Sequence, residues 1–475
     1  MTVRVGRKAA GVAGLAAISL ALAACGGGDG DGDAGATATD DAAVSGEQEA
    51  AFAAAEAYEI DCSVYEEFGD LSGTTVTTYG TPGTPEADAY ISSFVPFEEC
   101  TGVTVESEWS KEFEAQMIVR VQGGNPPDLG LYPQPGGVAS LQEQTGAILP
   151  VPDEVQALVD ENFDPYWSGL VTIDGEVLGV PNSANSKSFV WYSPSAFEEN
   201  GYEVPETWEE MIALSDQIVA DNPDGAVKPW CAGIGSGDAT GWPVTDWVED
   251  VMLRTQGEDY YDQWVNHEVP FNAPESLEVW ETVGEILRNP DYVNGGYGDV
   301  ATIASTEFGD GGLPILDGNC FMHRQASFYA AFWPDGTTIG EDGDVYAFYL
   351  PPFEGSEGRP VLVGSEFWTM FDDRPEVRAF LTYIASADYA DARAIAGVGF
   401  VNANLNLDLD NVESPISKLA GEQFQDPAAV LRFDASDVMP GEVGSGSFWS
   451  EAVAWIAEGK DTQAVLDAVE ESWPQ

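Results

Sequence analysis

Histidine and positive charge are both scarce in this chain. It has two histidines, His267 and His323, and 17 Lys+Arg against 82 Asp+Glu. Two imidazoles give little scope for a histidine metal site or for an imidazole general base. Nucleic acid is excluded as a natural partner, because binding its phosphates requires a basic surface. The excess of acid instead predicts a solvated acidic surface, of the kind suited to salt-rich surroundings.

Signatures of several enzyme and cofactor-binding classes are missing as well. The chain contains no GxSxG, HExxH, Walker or EF-hand sequence. Residues 235–241 come close to a dinucleotide fingerprint, but the last glycine arrives one residue late and no lysine follows. We therefore predict neither a metal ion nor a cofactor. Carboxylates are so abundant that a glycosidase with two catalytic carboxyl groups remains an alternative.

The N-terminus has the features of a secretory signal. A basic start is followed by an Ala/Leu/Val run that is too short to span a bilayer, and residues 1–24 end in Leu-Ala-Ala before Cys25. This ending resembles the lipobox of bacterial lipoproteins, so Cys25 is predicted to carry a lipid. Residues 25–55 are rich in Gly, Asp and Ala and are expected to form a flexible tether. The mature chain is thus expected outside the cytoplasm, anchored to the cell membrane.

Four cysteines follow Cys25, and none of them has CxxC spacing. An oxidising compartment favours disulfides, and four cysteines permit three pairings. We predict Cys62 with Cys100, which lie in one compact segment, and Cys231 with Cys320, which flank one presumptive lobe. By chain-entropy arguments each bridge stabilises the fold by about 3 to 4 kcal/mol.

Strands and helices are predicted to alternate after the tether. Hydrophobic periodicity indicates strands at 74–80, 101–109 and 126–133, and helices at 85–100 and 111–121. Such alternation favours a parallel sheet covered by helices. In sheets of this kind ligands bind beyond the carboxyl ends of the strands, which is where Tyr79 and Tyr132 fall. We expect both tyrosines at the ligand, with ordinary core packing as the alternative.

Two loops combine aromatic rings with short polar side chains. Residues 233–247 contain Asp238, Trp242 and Asp246, and residues 443–449 end at Trp449. A helix is predicted to begin just past Trp242-Pro243, with the amide groups of the glycine-rich loop facing outward at its N-terminus. Sugars stack their C–H faces on aromatic rings and offer hydroxyl groups to Asp, Asn, Gln and Arg. The loops therefore point to carbohydrate capture, whereas Trp247 is expected in the core.

Three segments resemble a known family: PWCAGIGSGDATGWPVTDWVEDVMLR, NCFMHRQASF and PETWEEMIALSDQI. They are similar to the extracellular solute-binding lipoproteins of ABC sugar importers, in the α-glucoside-binding branch that is distantly akin to maltose-binding proteins. The resemblance covers about residues 74–473. It implies a monomer without catalytic activity that binds a small neutral sugar and delivers it to a membrane permease.

The resemblance also implies a fold and its division. The fold is α/β, with two lobes of the type II periplasmic-binding-protein kind joined by hinge crossings around a ligand cleft. The expected lobe 1 comprises residues 56–183 and about 324–366. The expected lobe 2 comprises residues 184–323 and about 367–475.

Ligand contacts are carried over from the family segment by segment. The residues implied are Tyr132, Asn185, Lys187, Asp238, Trp242, Asp246, Arg324, Gln325, Trp368 and Trp449, with Trp368 facing either the cleft or the core. Many maltose-binding relatives have Gly-Pro-Trp where this chain has Arg324-Gln325-Ala326-Ser327. The change removes one aromatic ring and adds a charge. We therefore expect a disaccharide of the maltose, trehalose or sucrose type, with a polyol or glycerol phosphate as the alternative ligand.

Overall fold

The computed structural model describes residues 46–334, 336–356, 358–397 and 401–474, except for the side chains of Glu47 and Asp238. The described residues belong to one compact unit. Within those ranges, no helix has both the length and the apolarity needed to cross a bilayer. Cys25 and the predicted signal lie outside the described residues, so both remain predictions. The end of the expected tether, residues 46–55, is instead helical, with Phe52 and Ala55 buried against Ala89 and Ala396.

The strands and helices are numbered in chain order. The strands are β1 (Thr75–Gly80), β2 (Thr104–Trp109), β3 (Leu129–Tyr132), β4 (Thr172–Ile173), β5 (Glu176–Val177), β6 (Val180–Ser186), β7 (Phe189–Tyr192), β8 (Lys228–Trp230), β9 (Cys320–Arg324), β10 (Tyr346–Tyr349), β11 (Arg359–Met370), β12 (Val401–Asn402) and β13 (Ala429–Phe433). The helices are α1 (Gly46–Glu56), α2 (Glu86–Thr101), α3 (Phe113–Gln122), α4 (Pro135–Thr145), α5 (Asp153–Asn162), α6 (Pro165–Gly169), α7 (Pro194–Asn200), α8 (Trp208–Asp221), α9 (Trp242–Gln256), α10 (Glu258–Val265), α11 (Pro274–Leu287), α12 (Pro375–Ile384), α13 (Ala387–Ala396), α14 (Pro415–Phe424), α15 (Ala435–Val438), α16 (Trp449–Ala457) and α17 (Thr462–Glu471).

The larger sheet has seven strands in the order β12-β6-β11-β3-β1-β2, with β13 paired to β11. Strand β1 is parallel to both β2 and β3, which confirms the parallel arrangement that the alternating pattern predicts. Strand β11 runs antiparallel to β3 and β6, so the whole sheet is mixed. A break in the β6–β11 register between Ser365 and Phe367 places Glu366 at an irregular position. Such irregularities re-aim side chains, and Glu366 reaches the candidate site described below.

The smaller sheet has four strands in the order β10-β7-β9-β8. Its side chains are shared between two hydrophobic clusters, and those of β7 alternate between them, as the period of a strand requires. Trp191 and Ala347 face the first cluster, whereas Val190, Met322 and Phe348 face the second. This sheet therefore lies between the two cores.

Both predicted disulfide pairings are confirmed. Cys62 is bonded to Cys100, with Cα atoms 5.3 Å apart, and Cys231 is bonded to Cys320, with Cα atoms 5.8 Å apart. The first bridge ties the segment before β1 to the end of α2. The second joins the residue after β8 to the start of the neighbouring strand β9, so it reinforces a pair of strands that already share backbone hydrogen bonds.

Near the C-terminus the chain passes from the first cluster to the second. Buried aromatic and branched side chains from Phe367 to Phe433 belong to the first cluster, and those from Val443 to Trp473 belong to the second. The expected lobe 2 has about 367–475 as its second segment. The division of the apolar core differs from it, because the part from 367 to 433 packs in the first cluster. The lobe boundaries themselves stay a prediction.

Candidate functional site

A cavity of about 290 Å³ opens between elements of the two cores. Side chains around the larger sheet form one wall: Thr81, Glu86, Pro133, Gln134, Gly364, Ser365 and Glu366. The opposite wall comes from elements that pack on the second core: Ala239, Trp242, Asp434, Asp437 and Trp449. Asn185, Lys187 and Phe328 complete the lining. Thr81 follows β1 and Pro133 follows β3, so the cavity lies at the strand ends where the sequence placed the ligand.

The glycine-rich loop supports this wall through its backbone. Its amides are bonded within the loop and to neighbouring backbone: Gly235 N–H donates to the Thr306 carbonyl at 2.8 Å, and Gly241 N–H donates to the Ile234 carbonyl at 3.2 Å. The expectation of outward-facing amides is wrong, because these donors are used to fold the loop. Helix α9 begins at Trp242 itself. The loop thus positions Trp242 and leaves those amides unavailable to a phosphate.

Aromatic rings supply the apolar part of the lining. Trp242 is partly buried, and the Lys187 ammonium lies 5.3 Å from its ring centroid. Trp449 is 9% exposed, and its indole N–H donates to the Ser436 hydroxyl at 3.1 Å. That hydrogen bond fixes the ring at the start of α16. Phe328, which the sequence analysis did not single out, adds a third ring to the wall.

A chain of buried ion pairs lies behind the cavity. Lys187 contacts Asp434 and lies 3.1 Å from Asp246. Arg324 forms ion pairs with both Asp246, at 3.1 Å, and Asp250, at 3.0 Å. Each of these charged side chains is at most 8% exposed. Arg324 therefore adds no free charge to the cleft, contrary to what its position in the sequence implies.

The protonation of this chain follows from burial and pairing. Burial alone would lower the pKa of Lys187, but Asp246 and Asp434 raise it above its ordinary value. Burial alone would raise the pKa of Asp434, but Lys187 holds it below its ordinary range. Burial raises the pKa of Asp246 to about 7, against the opposing effect of Lys187. Lys187 is therefore a cation that is already neutralised at physiological pH.

A group of carboxylates beside Lys187 has the composition of a cation site. Asp246, Glu249 and Asp434 place carboxylate oxygens within 4.8 Å of one another. The Lys187 ammonium already contacts two of the three. Glu249 is also occupied, because it accepts the backbone N–H of Ala435 at 2.9 Å at the start of α15. The group is thus explained by the structure without a metal.

Two carboxyl groups on the other wall have strongly perturbed pKa values. Burial, reinforced by Glu366, raises the pKa of Glu86 to about 8. Burial raises the pKa of Glu366 to about 7, although a hydrogen bond from the Tyr90 hydroxyl opposes the shift. Asn182 donates to that hydroxyl at 2.8 Å. A proton held by either carboxyl near neutral pH makes it a donor as well as an acceptor, which suits a ligand rich in hydroxyl groups.

Asn185 offers a polar group to the cavity. It is 7% exposed, and its side-chain oxygen has no hydrogen-bond partner among the described residues. Gly364 faces it: a Cβ atom there would approach the Asn185 amide nitrogen to 3.0 Å and the Lys187 stem to 3.2 Å. The absent side chain therefore leaves room for the amide at the cavity wall. An unpaired buried amide is costly, and a ligand hydroxyl would satisfy it.

The structure brings together part of the predicted site. Asn185, Lys187, Trp242 and Trp449 line the cavity, whereas Asp246 and Arg324 support Lys187 from behind. Gln325 is buried beside β7, with its backbone N–H bonded to Phe189. The side chain of Asp238 lies outside the described residues.

Three of the candidate ligand contacts are placed in the core, which was the stated alternative for each of them. Tyr79 is fully buried, and its hydroxyl donates to Gln116 at 3.0 Å. Tyr132 is 3% exposed and packs against Phe113. Trp368 is fully buried in the first cluster. The tyrosines are still within their strands, and the residues just after the strands reach the cavity.

Sequence reasoning missed the acidic part of the lining. Glu86, Glu366, Asp434 and Asp437 are four among 82 acidic residues, and no local pattern marks them. Phe328 lies within the quoted segment NCFMHRQASF, and its position three residues after Gln325 was the available signal.

Comparisons with known proteins agree on one family. Residues 93–420 match the family described as "Bacterial extracellular solute-binding protein". The chain is 39% identical over 86% of its length to the osmoprotective compounds-binding protein GgtB of Synechocystis, of which it covers 94%. It is 38% identical over 85% of its length to the alpha-glucosides-binding periplasmic protein AglE of Rhizobium meliloti, of which it covers 88%.

Solved structures with low sequence identity share the fold. A chitin oligosaccharide binding protein aligns with a TM-score of 0.67 at 16% identity, covering 84% of this chain and 98% of the other. Maltose-bound MalE3 of T. maritima aligns with a TM-score of 0.63 at 15% identity, again covering 84% and 98%. These alignments confirm the predicted two-lobe α/β fold of the type II periplasmic binding proteins.

Proposed function

The chain belongs to the bacterial extracellular solute-binding protein family, the extracytoplasmic solute-capturing components of ABC importers, and from this premise we propose that it captures a small neutral α-glucoside. One observation carries the proposal: Trp242 and Trp449 share a cavity with Asn185, whose side-chain oxygen has no partner among the described residues. Rings and polar groups in one cavity are what the faces and hydroxyl groups of a sugar require. The α-glucoside specificity of AglE, at 38% identity, supports the choice of ligand.

The charges of the lining support a neutral ligand. Among the described residues that line the cavity, Lys187 is the only cationic side chain, and Asp434 contacts it. Glu86, Glu366 and Asp437 add acidic groups to the same lining. A phosphate would meet carboxyl groups without a free cation, so the lining argues against glycerol phosphate.

The size of the cavity supports a small ligand. Its volume of about 290 Å³ lies at the lower end of the range of about 300 to 1,000 Å³ for small-molecule sites. A disaccharide fits this scale better than a long malto-oligosaccharide. A polyhydroxylated osmoprotective solute is the second candidate, because GgtB, at 39% identity, binds osmoprotective compounds.

Capture by lobe closure and membrane anchoring complete the proposal. The two lobes are proposed to close on the sugar by hinge bending, with about 367–433 grouped with the first cluster and about 443–473 with the second. Cys25 would carry the lipid anchor. A Cys25→Ser variant is then expected in the medium instead of the membrane fraction, and retention of that variant in the membrane would contradict the anchor.

A calorimetric titration tests the function. Maltose, trehalose and sucrose are titrated into the purified protein, with glycerol phosphate as the anionic competitor and product analysis for hydrolysis. We expect saturable binding of at least one disaccharide, no hydrolysis and no binding of the phosphate. Turnover of the sugar would favour a glycosidase, and tight binding of glycerol phosphate alone would overturn the neutral-ligand assignment.

A further inference from the structure

A row of aromatic rings connects the cavity to the protein surface. Trp242 and Phe328 line the cavity, with ring centroids 6.0 Å apart. Phe308 lies 5.2 Å from Trp242, and Phe332 lies 4.9 Å from Phe308 and 6.3 Å from Phe328. We call these rings the aromatic row. Each ring contacts the next, so the row is one continuous apolar surface that starts in the cavity wall.

The outer end of the row is exposed. Phe332 is 41% exposed, and the other exposed large apolar side chains that the structure describes are aliphatic. A 3-10 helix, Ser327–Phe332, presents Phe328 and Phe332 four residues apart. A Cβ atom on Gly309 would approach the Phe332 ring to 2.7 Å, so the glycine allows that ring to lie close against the backbone. The Phe332 ring is therefore packed against the backbone although it lies at the surface.

The outer part of the row, formed by Phe308 and Phe332, differs in chemistry from the cavity. Phenylalanine has no hydrogen-bonding group, whereas a sugar ring needs polar partners for its hydroxyl groups. Glu307 and Asp310, beside Phe308 in the chain, are exposed carboxylates that disfavour an anionic group there. The outer part of the row thus suits an uncharged apolar group better than a further sugar unit.

We propose that the outer rings of the aromatic row, Phe308 and Phe332, bind the aglycone of an α-glucoside whose glucose unit occupies the cavity. This inference rests on the proposed function and extends the ligand class from disaccharides to α-glucosides with an uncharged aromatic aglycone. Ring-on-ring contact adds affinity beyond simple area burial, and we expect phenyl α-glucoside to bind about five-fold more tightly than methyl α-glucoside.

The experiment compares phenyl α-glucoside, methyl α-glucoside, maltose and maltotriose by calorimetric titration. It uses the parent protein and three variants: Phe332→Ser, Phe308→Leu, and Leu405→Ser as a control at another exposed apolar position, 45% exposed. We expect the phenyl-to-methyl affinity ratio to fall towards one in both ring variants and to stay at the parent value in the control. Affinity for methyl α-glucoside should be unchanged in Phe332→Ser, and thermal melts verify folding.

The outcomes separate the two proposals. If no α-glucoside binds at all, the proposed function is wrong and the aglycone site is overturned with it. If methyl α-glucoside or maltose binds but the phenyl group gives no gain, or a gain that Phe332→Ser retains, only the aglycone site is overturned. A gain from maltose to maltotriose that disappears in Phe332→Ser would assign the row to a sugar unit, which also overturns it.

Discussion

Replacing Trp242 by alanine distinguishes a ligand-binding ring from a core ring within one helix. Trp242 and Trp247 both belong to α9, but Trp242 lines the cavity and Trp247 is 3% exposed in the second cluster. Trp247 packs edge-on against Trp230 at 5.4 Å and against Trp208 at 6.3 Å. The two substitutions therefore remove the same side chain from two different environments.

The first substitution is expected mainly to weaken ligand binding, and the second is expected to reduce folding stability. Loss of the Trp242 ring from a desolvated sugar site should cost about 2 kcal/mol of binding free energy, which is roughly a thirty-fold weaker Kd. Its contacts with Phe308 and Phe328 contribute about 0.5 to 1.5 kcal/mol each to folding. Trp247→Ala leaves a cavity in the core and should reduce the free energy of unfolding by about 3 to 5 kcal/mol.

Calorimetric titration with the preferred disaccharide measures Kd, and urea unfolding measures stability. Trp449→Ala serves as a second ligand-side variant, because that ring lines the same cavity. Both ligand-side variants should lose affinity while they remain folded, and folded Trp247→Ala should bind nearly as the parent does. If Trp242→Ala binds the sugar like the parent, the ring is scaffold and the proposed site is wrong.

Two further predictions concern the charges at the site. Lys187→Met leaves Asp434 without its cationic partner and Asp246 with Arg324 alone, so it should destabilise the protein by about 3 to 5 kcal/mol. The surface substitution Lys418→Met, at a pair 3.6 Å apart, should change urea stability by less than about 1 kcal/mol. Equal effects of the two substitutions would refute the buried pairing. Folding raises the pKa of Glu86 from 4.5 to about 8. The contribution of Glu86 to stability is therefore complete below its pKa in the unfolded state and is lost as pH rises through its pKa in the folded state. Tm should therefore fall between pH 6.5 and pH 8, less steeply in Glu86→Gln, and an identical slope in that variant would remove Glu86 as a cause.

Local patterns determined the elements that frame the site. The alternation of strands and helices from β1 to β3 follows from hydrophobic period, which depends only on neighbouring residues. The same holds for the presence of α9, because the preceding glycines and Pro243 mark a helix start locally. The predicted start, just past Trp242-Pro243, lies slightly after the observed one at Trp242. The disulfide pairings could also be predicted from the sequence, since four cysteines allow only three pairings.

Partners that lie far apart in the chain could not be assigned in this way. The Lys187 ammonium is bonded to carboxylates 59 and 247 residues away. The family resemblance placed Lys187 near the ligand, but it did not show that the packing of α9 and of the segment after β13 neutralises its charge. Likewise, Tyr79 and Tyr132 lie at strand ends as predicted, but the face of the sheet that each ring occupies is set by packing against Gln116 and Phe113.

The sequence by itself therefore determined the family, the class of fold and the disulfides, and it singled out Trp242 and Trp449, which line the cavity. Each of these depends on residue type and local spacing, which the chain displays directly. Only the tertiary structure decided which four of 82 acidic residues line the cavity and which aromatic rings reach the surface. Those choices depend on contacts between segments hundreds of residues apart, and burial then changes the charge and pKa of the groups that meet there.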